Sequence, residues 1–589
     1  MDVSHGTSQW HTLQEHDLRR FLGGSGLGTF LLLRENVADC DPLGPESVII
    51  FAFSPLVGSP LTTSAKFAIV CKSPLTERIS DSLVSSYFAL AGKRAGCDAI
   101  VLRGRAAQPS VLVIDDGAVR LDSAVDLWGS TCPVAEAELR KRYGADFQAA
   151  VIGPAGEHLV SYATISHAGR HAGRGGSGAV LGSKNLKAVL VRGSQRCTWA
   201  DPEALATYAK RLSADSFGPA TAKYRELGTA ANMLVFNRLN ALPTRNFQRG
   251  SFADAANLAP ESLSNAHAKT RTSCAACTIG CEHLYTFNTG PGQADSTVRV
   301  EYENLFALGA LCGIGQSEVV LKASQLCDEL GLDTISAGGT IAFAMECVER
   351  GILDEPWLQF GSGDALLRAL QLVGRREGLG DRLAVGSRQL AQQLGKDSHE
   401  FAPHVKGLEL PGYEPRAMQT MALGLAVGSR GADHNRSGAY EADFSEHVDR
   451  RHLTAQSAEL AVASENQAAM FDSLILCKFI RGVLSDTFAE ASEMLQMVTG
   501  WAVDARELHE TAHRIITARK LFNVRSGWTP EEDTLPDRFF QVALPDDPEA
   551  RLSRGPFFEA VRAYNLLRGW SAEGWPNDQQ LAELCLDDC

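Results

Sequence analysis

The sequence predicts an α+β protein in which a β-rich N-terminal third precedes a longer, mainly helical remainder. Short β-type runs bounded by Gly, Pro and Ser recur from SVIIFAF at Ser47 to LKAVLVRG at Leu186. After Thr198 apolar residues return at helical spacing instead, as in DPEALATYAKRLSAD and SEVVLKASQLCDELG. At 589 residues the chain also exceeds what one hydrophobic core usually organises, so two to four packed units are expected.

Taken in order, SVIIFAF, KFAIVCKS, CDAIVLRG, SVLVIDDG, FQAAVIGPAG and LKAVLVRG are the expected strands of a domain over residues 1–197. Few helices interrupt them; one is expected near Pro133 to Tyr143. A helical domain over 198–405 follows. The Pro- and Gly-bearing stretch from His404 to Pro415, KGLELPGYEP at its heart, divides it from a second helical domain over 406–589. No repeat of solenoid period and no low-complexity tract is present.

Hydrophobic residues at 44% and charged residues at 21% are ordinary globular usage. A net charge of −14 disfavours nucleic acid, whose binding needs a basic surface that releases counterions. The opening MDVSHGTSQWHTLQEHDLRR lacks the basic and apolar regions of a secretory signal, and no apolar run approaches the length of a membrane span. A cytoplasmic protein is expected. There, 14 cysteines are an unlikely disulfide framework, and clustered ones point to metal.

One cluster exists. TSCAACTIGCEHL sets Cys274, Cys277 and Cys281 in a C-x2-C-x3-C run, which can curl around one face of an iron–sulfur cluster and needs a fourth thiolate from elsewhere. Cys477 in FDSLILCKFI is the candidate, in an apolar segment that can lie against the loop. A zinc knot, with His283 serving alone, and three inert thiols remain the alternatives. Cys71, Cys97, Cys327 and Cys347 read as buried small hydrophobes.

HAGRHAGRGGSGAVLGSKNLKAVLV places Arg170 and Arg174 among Gly173, Gly175, Gly176 and Gly178. Glycines let backbone N–H groups approach an anion and arginine adds a bidentate fork, so a phosphorylated ligand is one reading. A tight turn is the other, since neither a P-loop nor a clean dinucleotide fingerprint is present. GGSGLG at Gly23 to Gly28 is a weaker case. Asp328 and Asp333 flank Gly331 near a helix end, and Asp472 precedes Cys477; singly, each acid reads as a cap or a solvated group.

Together these segments resemble the aldehyde ferredoxin oxidoreductase family of tungsten-pterin enzymes over most of the chain. The landmarks are GGSGLG, KSPLT, GCDAIVLRG, VIGPAGE, GRGGSGAVLGSKNLKAV, GTA then ALPTRNFQ, the three-cysteine run, EYENL, CDELGLDTIS, RGADHNR and DSLILCKF, in the family's order. The resemblance implies an N-terminal β domain as a base for two pterins, covered by two helical domains. It implies a tungsten or molybdenum bis-pterin, magnesium bridging the pterin phosphates, and a [4Fe-4S] cluster held by Cys274, Cys277, Cys281 and Cys477. By the same resemblance Asp328 and Asp333 bind one pterin, Asp472 and the backbone at Leu476 bind the other, and Lys66, Arg174 with Gly175 and Gly176, and Arg436 meet the phosphates. Glu303, with Glu301 as competitor, and His434 take the catalytic positions.

The activity so implied is oxidation of a small aldehyde to a carboxylic acid, with a ferredoxin or an iron–sulfur subunit as partner; a homodimer or hetero-oligomer is compatible with it. Two departures stand out. Leu83, Val84, Ser85 and Ser86 occupy the place of an Asn-Ser-Gly-Gly common in the family, and Lys66 that of an arginine, which keeps the charge and loses the fork. The alternatives are the tungsten subunit of a low-potential reductase of the benzoyl-CoA reductase type, for which Cys312 is a remote metal-ligand candidate, and an electron relay lacking the active metal.

Overall fold

Near-continuous apolar runs are what strands covered on both faces require, and those of the N-terminal third build two sheets. The computed structural model describes residues 1–288, 294–446 and 448–587. The first sheet runs Ile79–Ser85, Lys66–Lys72, Ile49–Ala52, Ala99–Leu102, with every neighbour antiparallel. The second runs Ala118–Ser123, Ser110–Asp115, Leu186–Arg192, Gln148–Val151, Ile165–His167, Arg170–Ala172, where Leu186–Arg192 lies parallel to Ser110–Asp115. The helix read near Pro133 is Cys132–Tyr143, with Pro in its first turn, where no N–H is missed.

The glycines of GGSGLG serve close packing. The segment opens the helix Gly24–Arg34, whose Ser25 to Phe30 are buried against the first sheet and the helix Ala455–Leu474. A Cβ on Gly24 would stand 2.4 Å from the Asp472 carbonyl, and one on Gly28 2.4 Å from Val70 Cγ2. The glycines there let helix and sheet approach, a need that looks the same in sequence as a need to approach phosphate.

Beyond residue 198 helices predominate and share a core with the N-terminal third. The helix Ala505–Arg525 sends Ile515, Ala518, Leu521 and Phe522 into the cluster formed by the first sheet. Among the described residues no single helix is long and apolar enough to cross a membrane. The helical part also holds a three-stranded antiparallel sheet, Ala268–Thr272, Glu282–Phe287 and Ser296–Arg299, and the three-cysteine run is the connection between its first two strands. The edge strand AKTRT is exposed at every position, so it carries no apolar alternation that sequence reading detects.

The stretch read as a divider is deeply packed: Val405 through Gly428 are buried without interruption. Its loop is held by the buried pair Arg416 Nε and Glu414 Oε1 at 2.7 Å, and by Tyr302, whose hydroxyl donates to the Gly412 carbonyl at 2.5 Å. A Cβ on Gly412 would meet Tyr302 Cε1 at 2.7 Å, so only glycine passes this close. That contact brings the loop over the helix Tyr302–Ala307, which carries Glu303.

Candidate active site

Of the two glutamates in EYENL, Glu301 is occupied locally. It is the N-cap of Tyr302–Ala307, forms a capping box with Asn304, and accepts from the Thr229 hydroxyl at 2.5 Å. Glu303, in the first turn, points the other way. Its Oε2 accepts the Gly412 N–H at 3.0 Å, and its Oε1 stands 3.6 Å from His434 Nδ1. Both facing atoms are buried without a hydrogen-bond partner among the described residues. Burial pushes the Glu303 carboxyl up to about 8, with the Gly412 N–H and Arg174 opposing, and pushes His434 down to about 3 with Asp433 opposing. At neutral pH this is a protonated acid facing a neutral imidazole. The ring lies near Tyr413 and Tyr440, at centroid distances of 5.1 and 6.4 Å.

His434 is positioned by its neighbours in RGADHNR. Asp433 caps the short helix His434–Ser437, accepting from the N–H groups of Asn435 and Arg436, and pairs with Arg430 Nη1 at 3.2 Å. Arg436 reaches two acids, Asp472 Oδ2 through Nη1 and Asp81 Oδ2 through Nε, each at 2.9 Å. Arg519 joins Asp81 Oδ2 at 3.1 Å, Arg430 donates to the Asp81 carbonyl, and Lys478 joins Asp472 Oδ2 at 3.2 Å. Burial alone would raise the Asp81 carboxyl, but Arg436, Arg519 and Arg430 outweigh it and hold it well below the usual range.

Sequence reasoning selected Arg436 and Asp472 from this layer and missed Asp81, Arg430, Arg519 and Lys478. Arg430 had a signal, since it opens the motif that supplied His434; Arg519 had none, since its partner Asp81 lies 438 residues away. Asp81→Ala takes the carboxylate from two buried guanidinium groups, leaving Arg519 without an acid among the described residues and Arg436 with Asp472 alone, and we expect a loss of about 3–5 kcal/mol in chemical denaturation. An unchanged midpoint and slope would show that the arginines do not depend on Asp81.

Arg174 is buried and tied to the protein at each end: Nε to Asp333 Oδ2 at 3.2 Å, Nη1 to the Ala432 carbonyl and Nη2 to the Glu409 carbonyl, both at 2.6 Å. It fastens the N-terminal glycine turn to the two segments that carry Glu303's loop and His434. Gly175 and Gly176 have φ of 86° and 77°, and a Cβ there would stand 1.9 Å from Ser80 Oγ and 2.1 Å from the Ser161 carbonyl. Asp333 caps the helix Thr334–Glu349 through the Ile335 N–H. Asp328 lies apart from this group, paired with His171 Nε2 at 2.9 Å and partly exposed.

The cysteine loop and Cys477 meet at Thr62 and Thr63. Thr62 Oγ1 accepts the Thr278 N–H at 3.0 Å, the Thr63 N–H donates to the Ala276 carbonyl at 2.6 Å, and Thr63 Oγ1 accepts the Cys477 N–H at 3.4 Å. Two left-handed residues make this possible, Thr63 at φ 67° and Ile475 at φ 65°; the latter ends the helix Ala455–Leu474 and turns Leu476 and Cys477 back toward Thr63. Such a conformation is costly for a β-branched residue and persists only where its surroundings enforce it. Hydrogen bonding from Cys277 lowers the Cys274 thiol, with Arg170, Ser85 and Lys66 assisting, whereas burial and Cys477 raise that of Cys281.

The donor sets fit the groups the sequence implies. Three partly buried thiols on one loop, with that of Cys477 brought to it at Thr62 and Thr63, are a donor set that an iron–sulfur cluster can use. Near His434, Arg430 Nε and Nη2 and Arg519 Nε are buried donors without a partner among the described residues, which suits an anionic ligand such as a pterin phosphate.

The family description "Aldehyde ferredoxin oxidoreductase, N-terminal domain" matches residues 1–193, and "Aldehyde ferredoxin oxidoreductase, domains 2 & 3" matches residues 203–586. The tungsten-containing aldehyde ferredoxin oxidoreductase of Pyrococcus furiosus is 34% identical over 99% of this chain and 97% of its own length. That of Thermococcus kodakarensis is 35% identical over 98% of this chain and 96% of its own. A chain of the solved active site complex BamBC of benzoyl coenzyme A reductase superposes with a TM-score of 0.84, covering 100% of this chain and 96% of that one at 23% identity; this likeness is one of fold.

Proposed function

The chain belongs to the aldehyde ferredoxin oxidoreductase family, and from that membership we propose that it oxidises aldehydes to carboxylic acids at a tungsten or molybdenum bis-pterin and passes the electrons through a [4Fe-4S] cluster to a ferredoxin or similar iron–sulfur protein. Aldehyde and water give carboxylic acid, two protons and two electrons. The observation that carries the reading is the buried pair of Glu303 Oε1 and His434 Nδ1, 3.6 Å apart and each without a hydrogen bond among the described residues, beside an arginine layer that can hold phosphate.

When bound, the metal-pterin supplies Lewis acidity toward the carbonyl and takes up the two electrons. Arg174, Gly175, Gly176, Lys66, Asp333 and Asp328 would hold one side of the cofactor, and Arg436, Asp472 and the Leu476 backbone the other, with magnesium as a counter-ion to the phosphates. Cys274, Cys277, Cys281 and Cys477 would hold the cluster. Glu303, once ionised, takes a proton from the attacking water or hydrated aldehyde. His434, neutral throughout the working range, places one hydrogen bond on the substrate oxygen. The Tyr302–Gly412 contact keeps the Glu303 carboxylate aimed, and the uninterrupted burial from Val405 to Gly428 screens the pair from bulk solvent.

The test is elemental analysis of natively produced protein, followed by viologen reduction with a panel of aliphatic and aromatic aldehydes and, in the reductive direction, aromatic coenzyme A thioesters. We expect tungsten or molybdenum together with iron, and aldehyde-dependent reduction. Thioester reduction without aldehyde oxidation would replace this reading with that of a low-potential reductase, and iron without either metal with that of an electron relay.

A further inference from the structure

Electrons that reach the four cysteines must leave where their loop meets solvent. Ser273, Ala276 and Thr278 of that loop are exposed. The strand leading into it, Ala268–Thr272, is exposed at all positions and forms the outer edge of the three-stranded sheet, so one row of its backbone groups has no ladder partner among the described residues. With a period of two, Lys269 and Arg271 project from the same face. They are paired in register with Tyr285 and His283.

Neither cation makes an ion pair with an acid among the described residues; Lys269 Nζ donates to the Glu226 carbonyl at 3.3 Å. That bond, with His283 Nε2 at 3.1 Å from the Arg225 carbonyl, joins the strand to the helix Pro219–Leu227, which adds Lys223 and Arg225 against a single exposed acid, Glu226. A chain of net charge −14 thus presents a basic ridge beside the exposed cysteine loop.

We propose that the ridge formed by Ala268–Thr272 and Pro219–Leu227 is the docking surface for a small acidic iron–sulfur electron carrier. The inference rests on the electron-transfer reading above and adds where the partner binds. The net charge of the chain repels an acidic protein at long range, and a local basic island both reverses that repulsion and fixes the approach to the cysteine loop. Each encounter removes one electron, so two oxidised carriers are reduced for each aldehyde converted.

The test compares the holoenzyme with its Lys269→Glu/Arg271→Glu variant, using a purified acidic [4Fe-4S] ferredoxin and, separately, benzyl viologen as acceptors. At low ionic strength, where the Debye length exceeds about 10 Å, we expect the KM for ferredoxin to rise about tenfold, calorimetric binding of ferredoxin to weaken in parallel, and the salt dependence to flatten. The viologen-linked rate stays at the parent value. Unchanged ferredoxin binding and KM would overturn the proposal. So would a variant that self-associates with ferredoxin binding intact, since the charges would then only keep an edge strand from pairing with a second copy. Absence of aldehyde turnover with both acceptors in the parent enzyme would sink the functional reading instead, and the calorimetric arm still decides whether the ridge binds the acidic protein.

Discussion

Glu303→Gln leaves tungsten or molybdenum and iron contents at parent values and lowers kcat by about 10²- to 10⁴-fold. The amide oxygen can still accept the Gly412 N–H that Oε2 now takes at 3.0 Å, so the loop geometry survives the change. What the amide cannot do is accept a proton at the atom facing His434. His434→Asn removes one neutral hydrogen-bonding group and is expected to cost about 10²-fold. Elemental analysis with steady-state assays checks both, and full activity in the two variants would remove these residues from the chemistry.

The same pair fixes the pH profile. Burial holds Glu303 protonated up to about 8, so its basic form grows as pH rises, and at pH 7 roughly one-tenth is ionised. For a general base the sign is therefore a rise: kcat/KM climbs about tenfold per unit below pH 8 and then levels. His434, held near 3 by burial, adds no step between pH 5 and 9. Glu303→Gln should flatten the rise. A profile with the same limb in the variant would assign the titration to another group.

Much of the N-terminal architecture was legible because strands buried on both faces leave continuous apolar runs, and the cysteine run because covalent spacing alone gathers three thiols. Function of individual groups was less so. GGSGLG and GRGGSG look alike in sequence, yet the first lets a helix press against Val70 and Asp472 while the second turns the chain beside Arg174. Their difference lies in what packs against them, which local sequence does not record.

The two glutamates of EYENL show the same limit. The family resemblance left Glu301 a competitor of Glu303, and what distinguishes their surroundings is a capping box with Asn304 plus the Thr229 hydroxyl at Glu301, the latter partner lying 72 residues away. Asp81 shows it most plainly. It lies two residues before Leu83, where the sequence departs from the family's pattern, and it organises Arg430, Arg436 and Arg519 only once the first sheet meets the C-terminal helices. The unfamiliar segment is thus adjacent to a charged layer that ties the domains together. Ser85 of that segment also reaches the cysteine loop, lying beside Cys274.

Cys477→Ala is the second change with a large expected effect, and it tests whether those tertiary contacts deliver a fourth ligand. Three cysteines close in sequence can bind iron only incompletely, because a cubane cluster asks for a thiolate at each corner. Cys477 comes from an element about 200 residues farther along the chain, and Thr62 and Thr63 tie it to the loop, the one holding Thr278 at 3.0 Å and the other holding both Ala276 and Cys477. We expect iron to fall below about four per chain, the visible charge-transfer absorption to shrink, and ferredoxin reduction to be lost, while tungsten or molybdenum content stays at the parent value because the ion pairs of Asp81 with Arg436 and Arg519 are untouched. Thr63→Ala should weaken the same signal less, since it removes one acceptor and leaves the sulfur. Unchanged iron and absorption in Cys477→Ala would exclude it from the ligand set, and the strained turn at Ile475 would then need another reason to exist.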